Sequence, residues 1–152
     1  MGELIYAGAR GVSRIYWDSM LFIYWLEDHP EYSARVQEIY KRMQERGDTL
    51  CTSTFAVGEV LTGPHQKGAA DAIAEIRDFF HPPQVEVLPF GMEAAHHFAQ
   101  IRAKHRVAPA DSIQLASAAQ AGVDLFLTHD NHLRGLAISG IDFIAGMDVN
   151  LF

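Results

Sequence analysis

The sequence predicts an α/β fold, a three-layer α/β/α sandwich around a central parallel sheet of four or five strands. Short apolar β-type runs alternate along the chain with stretches of helical periodicity, and that alternation folds into a parallel sheet with helices on both faces. The runs at 15–17 and 125–127 are nearly continuously apolar, as expected of strands covered on both sides. The chain has 152 residues, 49% hydrophobic and 20% charged, which suits one well-buried core and excludes wholesale disorder. No repeat, low-complexity tract or Ser/Gly-rich linker divides it. The expected organisation is an N-terminal arm over 1–13, rich in glycine and without a clear period, and one domain over 14–152.

Arg14-Ile15-Tyr16-Trp17 is the first strand, and Asp18 and Ser19 are good N-caps for the apolar helix that follows up to His29-Pro30. Val36, Ile39, Tyr40 and Met43 share one face of a helix over 32–46, ended by Gly47. Thr49 to Ser53 is the second strand. Thr54 can cap the next helix, which the pair Gly63-Pro64 is expected to stop. Residues 69–80 form a helix, 85–88 the third strand and 92–104 another helix. Pro109 opens a helix where its missing N–H costs nothing, and Gly122 closes it. Residues 124–128 form the fourth strand, 132–137 a short helix and 141–144 the fifth strand.

Charge and cysteine content narrow the function. Lys and Arg number 12 against 19 Asp and Glu, a net charge of −7. That is not the basic profile of a general nucleic-acid-coating protein. The single cysteine, Cys51, excludes a disulfide scaffold and fits a reducing cytoplasm. No stretch has the apolar length of a membrane span, and no secretory signal is expected from the start of the chain.

Ligands of parallel α/β sheets bind outside the carboxyl ends of the strands. Asp18 follows the first strand, Glu59 stands in the helix after the second, and Asp130 follows the fourth, with Asn131 beside it. Asp111 opens the helix before the fourth strand. Gly-rich phosphate loops and a GxSxG elbow are absent, and Cys51 has no paired-cysteine motif. The eight histidines show no zinc-ligand spacing. Four converging carboxylates repel one another, and a hard divalent cation such as Mg²⁺ or Mn²⁺ resolves the repulsion through oxygen ligands. Asp18, Glu59 and Asp111 are then expected within reach of one shared ion. Each acid also has a purely structural reading: Asp18 as a helix cap, Asp111 as a partner of the helix dipole, Glu59 as a solvated helix residue and Asp130 as a turn residue.

Asp18-Ser19-Met20-Leu21-Phe22-Ile23 resembles the opening motif of the PIN-domain ribonucleases, an Asp at the end of strand one before an apolar helix. Ser53-Thr54-Phe55-Ala56-Val57-Gly58-Glu59-Val60-Leu61 resembles their second motif, Pro109-Ala110-Asp111-Ser112-Ile113-Gln114-Leu115-Ala116 their third, and Leu127-Thr128-His129-Asp130 their fourth. The resemblance spans about residues 14–145. Two departures stand out: Met20 lies where many members carry Asn, and the pair Asp130 and Asn131 leaves open which one faces the metal.

The resemblance implies a metal-dependent endoribonuclease that hydrolyses RNA with a metal-activated water, on one or two Mg²⁺ or Mn²⁺ ions held by Asp18, Glu59, Asp111 and Asp130. Within the family, small single-domain members of this layout are often the VapC-type toxins of toxin–antitoxin pairs. That implies a homodimer and a cognate antitoxin. Ser112, Thr128 and Asn131 are candidates for orienting the site from behind. Arg102, Lys104 and Arg106 form the densest basic cluster and are candidates for RNA contact, or else a solvated helix end. A catalytically silent PIN-like binding module is the alternative.

Overall fold

A computed structural model of the chain describes residues 13–148, so the expected arm lies outside the described residues but for Ser13. One sheet contains β1 (Arg14–Trp17), β2 (Thr49–Ser53), β3 (Glu86–Leu88), β4 (Leu125–Leu127) and β5 (Phe143–Ala145). The strand order is β3-β2-β1-β4-β5, and every neighbouring pair is parallel. Six helices flank it among the described residues: α1 (Ser19–Leu26), α2 (Ser33–Arg46), α3 (Thr54–Lys67), α4 (Ala70–Phe79), α5 (Met92–Lys104) and α6 (Pro109–Ala121). This is the α/β/α sandwich the sequence predicts.

The central strand shows why both faces are covered. Side chains alternate sides along a strand, and β1 is apolar at every position after Arg14. Ile15 and Trp17 enter one core with Leu125 and Leu127, while Tyr16 enters the other with Phe126. In register, Tyr16 lies opposite Cys51 on β2 and Phe126 on β4, and its ring stacks on Phe126 at 4.7 Å. The first core is aromatic and takes Leu21 and Phe22 from α1, Ile39 and Met43 from α2, Val60 from α3 and Ile76 from α4. The second is built of small residues on α6, Ala116, Ala118 and Ala119, packed with Ala94 and Ile101 of α5. Handedness divides the helices this way. The steps from β1 to β2 to β3 run in one direction, and the return to β4 runs in the other, so right-handed crossovers place α5 and α6 on the opposite face from α1–α4.

Several details differ from the sequence reading. Ser53 instead of Thr54 caps the helix after β2, its Oγ accepting from Ala56 N at 3.1 Å. Helix α3 passes through Pro64 and ends at Gly68, which takes the left-handed conformation at φ 62°. A proline near a helix end forfeits a hydrogen bond without forcing a stop, so the glycine sets the terminus. Residues 131–135 form turns and 136–138 are irregular, where a helix over 132–137 is expected. Gly135 at φ 87° interrupts helical geometry there, and Leu133 N and Leu136 N bond three residues back, to Asp130 O and Leu133 O. The last strand begins at Phe143 instead of Ile141.

Candidate functional site

The sheet order reverses between β1 and β4, because the chain leaves β1 toward β2 on one side and β4 toward β5 on the other. Connections diverge at such a point and open a crevice at the carboxyl ends of the strands. Asp18 stands there after β1, and its N–H extends the ladder to Leu127 O at 3.1 Å. Thr128 and Asp130 stand there after β4.

Asp18 is both a cap and a site residue. Its Oδ1 accepts from Met20 N at 2.9 Å, and its Oδ2 accepts from Thr128 Oγ1 at 2.5 Å. Thr128, fully buried, also accepts from Asp130 N at 3.0 Å, so one hydroxyl ties the β1 and β4 rims together. The Asp18 side chain is buried, and its carboxyl is pushed up to about 6; the bonds from Thr128 and Met20 oppose the shift, and the charges of Asp111 and Glu59 reinforce it. Asp111, half-buried in the first turn of α6, is also raised by burial, then by the charges of Asp130 and Glu59. The four acids thus lie near enough to act on one another. None of the ion pairs among the described residues involves them.

Glu59 is held from behind. Ser19 Oγ donates to its Oε1 at 2.8 Å, and Gln114 Nε2 donates to the same oxygen at 2.9 Å. Both donors are buried. Among the described residues, no three His, Cys, Asp or Glu side chains are gathered closely enough to hold one ion. The expectation of three carboxylates around a shared ion therefore gives way to a looser arrangement, in which Glu59 is drawn toward Ser19 and Gln114, and both Asp18 oxygens are engaged. By donor chemistry the set still fits a hard divalent cation, being all-oxygen, anionic and mutually repulsive.

The supporting candidates divide. Thr128 orients Asp18 directly. Ser112 Oγ instead donates to Ala108 O at 3.0 Å, a bond within its own helix turn. Asn131 is exposed, and its Oδ1 accepts from Arg134 Nη1 at 3.4 Å, whereas Asp130 is the one whose charge reaches Asp111. Asp130 Oδ1 also accepts from His132 N at 2.9 Å. Arg102 donates to Val107 O, and Lys104 and Arg106 are exposed.

Sequence reasoning missed two groups. Ser19, Gln114, Tyr16 and Ser53 make a buried polar chain behind Glu59. A cluster of Tyr24, His29, Tyr32 and His129 sits beside the rim, with Tyr24 Oη 2.6 Å from His129 Nδ1. A polar residue inside the apolar stretch of α6 was the available signal for Gln114.

A family model described as the PIN domain matches residues 15–138. No curated protein matches the sequence. Among solved structures, the chain is similar to VapBC2 from Rickettsia felis bound to a DNA fragment from their promoter, with a TM-score of 0.65 and 13% identity over 88% of this chain and 98% of that one. It is similar to VapC20 of Mycobacterium tuberculosis, a sarcin–ricin loop cleaving toxin, with a TM-score of 0.63 and 12% identity over 77% and 90%. A toxin–antitoxin complex from Klebsiella pneumoniae gives a TM-score of 0.63 and 13% identity over 84% and 94%. At such identities the likeness is one of fold.

Proposed function

The chain belongs to the PIN-domain family, and from that premise we propose that it is a metal-dependent endoribonuclease, the toxin of a toxin–antitoxin pair. One observation carries the reading. Asp18 and Asp111 are both raised, first by burial and then by the charges of nearby carboxylates, at the point where the sheet order reverses, and the groups that hydrogen-bond Asp18 there are neutral. Carboxylates kept together without a built-in cation are a site for a cation from outside.

Asp18, Glu59, Asp111 and Asp130 would hold one or two Mg²⁺ or Mn²⁺ ions. A bound ion of this kind supplies an activated water and stabilises charge on the phosphodiester. Thr128 fixes the Asp18 carboxylate, and the same hydroxyl fixes the Asp130 backbone. No cysteine competes as nucleophile: Cys51 is buried in the sheet, and burial pushes its thiol up to about 12. Lys104 and Arg106 lie just ahead of Asp111 in the chain and would meet the RNA backbone. By analogy with the toxin–antitoxin complexes of similar fold, a cognate antitoxin would complete the assembly, and the family resemblance adds a homodimer. Among the described residues, no helix is long and apolar enough to cross a membrane.

The test is RNA cleavage with Mg²⁺, with Mn²⁺ and with EDTA, beside the Asp18→Asn variant. Cleavage that needs the metal and the carboxylate supports the reading. Cleavage indifferent to both overturns it, and RNA binding without cleavage would favour a silent binding module.

A further inference from the structure

Behind Glu59 lies a relay of buried polar groups that crosses from one side of the site to the other. Gln114 Oε1 lies 3.0 Å from Tyr16 Oη, and Tyr16 Oη lies 2.8 Å from Ser53 Oγ. At its other end the Gln114 amide nitrogen reaches Glu59 Oε1 at 2.9 Å and Ser19 Oγ at 3.3 Å. Tyr16 and Ser53 are fully buried, and Gln114 is 4% exposed.

Counting donors and acceptors fixes the direction of every bond. A phenol has one proton, and an amide oxygen only accepts. A carboxylate only accepts, so the Gln114 NH₂ faces Glu59, its Oε1 faces Tyr16 and takes the phenol proton, and Ser53 supplies its own proton to Tyr16 Oη. The same NH₂ reaches Ser19 Oγ, which leaves the Ser19 proton for Glu59 Oε1. A flipped amide would set its oxygen against the Glu59 carboxylate, a costly mismatch of two acceptors, whereas the phenol could accept from an NH₂, so Glu59 is the group that fixes the amide. Glu59 Oε1 thus receives two donors, while among the described residues Oε2 has no partner.

We infer that Gln114, its amide nitrogen turned to Glu59 and its amide oxygen held in place by Tyr16, is a positioning residue that holds Glu59 by one oxygen and keeps the other available to a divalent cation. The inference rests on the proposed metal-dependent function and adds the device that presents one of its ligands. Tyr16 lies on the central strand and Gln114 on α6, so the pair also ties the β1 rim to the helix that carries Asp111. Tyr16 is therefore more than a core aromatic. Its ring fills the second core against Phe126, and its hydroxyl donates to the oxygen of an amide that touches the site.

The experiment is Mn²⁺ binding measured by calorimetry on the full chain, without RNA, for the parent and for Gln114→Met, Tyr16→Phe and Ser117→Ala. Ser117 is the control. It is equally buried on α6, but its hydroxyl donates to Ile113 O at 2.9 Å and has no link to Glu59. Loss of an outer partner of a metal ligand weakens metal affinity about 10–100-fold. We expect a loss in that range for Gln114→Met and a smaller one for Tyr16→Phe, with Ser117→Ala close to the parent. Metal-free thermal melts confirm that each variant is folded. Tyr16→Phe keeps the ring and removes only the oxygen, so it guards against a Gln114 variant that fails to fold. If the parent binds Mn²⁺ and both relay variants bind it equally well, the inference is wrong and the metal-dependent reading stands. Equal weakening in Ser117→Ala also overturns the inference, since general disturbance of α6 would then explain the loss. A parent that binds no Mn²⁺ overturns both.

Discussion

The two ends of the sheet carry carboxylates under opposite arrangements. At the amino end, Arg14 Nη2 pairs with Glu86 at 2.8 Å, the Arg14 N–H bonds Asp124 Oδ2 at 2.7 Å, and Arg14 also donates to Ala121 O. Arg46 Nε meets Asp48 at 2.9 Å nearby. At the carboxyl end, Asp18 and Glu59 are held by Thr128, Ser19, Gln114 and a backbone N–H, all neutral. Acids paired within the chain serve the fold. Acids oriented by neutral donors keep their charge for something outside it, and they weaken the metal-free protein by mutual repulsion.

Breaking the carboxyl end gives the largest expected effect. Asp111→Asn should lower RNA cleavage by more than about 100-fold, because loss of even an outer partner of a metal ligand costs 10–100-fold. The fold should survive with equal or greater metal-free stability, since one repelling charge is gone. Mg²⁺ should raise the melting temperature of the parent more than that of the variant, because only binding to the folded state stabilises it. Equal shifts in both proteins would remove Asp111 from the metal site.

Acid titration sharpens the same contrast. The folded-state value for Asp18 is about 6, above the unfolded carboxylate near 3.8, and Asp111 shifts the same way. Between these values the folded protein holds a proton that the unfolded chain has lost. Stability in EDTA should therefore be full below about pH 4 and fall as pH rises through 6, by an amount on the order of 3 kcal/mol. Urea melts at pH 4 to 7 check this. A parent whose stability rises across that window contradicts the burial of Asp18, and Asp18→Asn should flatten the fall.

Breaking the amino end should do the reverse. Arg14→Met removes a half-exposed ion pair and the cap on Ala121 O, for a loss of about 1–2 kcal/mol. Mn²⁺ affinity should not change. A chemical melt beside calorimetry separates the two, and a loss of metal binding would mean that the two ends are coupled through β1.

The two ends were unequally legible in the sequence. Asp18, Glu59, Asp111 and Asp130 stand beside strand ends and helix starts, and those local signals survive without coordinates. The alternation of Ile15, Tyr16 and Trp17 announces a strand buried on both faces. The relay through Tyr16 and Gln114 was not visible. Its partners lie 98 positions apart, and nothing local in either residue specifies the other. The use of Ser112 was hidden for a related reason: a serine in a first helical turn can face a site or bond its own backbone, and the choice is tertiary. Turns and irregular chain replace the expected helix over 132–137 because one left-handed glycine, Gly135, outweighs a weak apolar pattern.

The smallest expected effect concerns the cations nearest the carboxyl end in sequence. Arg102, Lys104 and Arg106 were candidates as a group of three, but Arg102 donates to Val107 O and serves to close α5. All three are exposed, so the bond to Val107 O is what sets Arg102 apart from the pair Lys104 and Arg106. Contacts to single-stranded phosphates contribute a salt slope of about 0.7 per charge, so the pair accounts for a slope of roughly 1.4 in RNA affinity. Replacing both with Ala should lower that slope by about this amount and weaken binding at low salt, with the deficit shrinking as salt rises. Mn²⁺ affinity should stay at the parent value, since neither residue is a carboxylate or a partner of one. Adding Arg102→Ala should change stability more than the slope. If the double variant keeps the parent slope, RNA reaches the acidic end by another face.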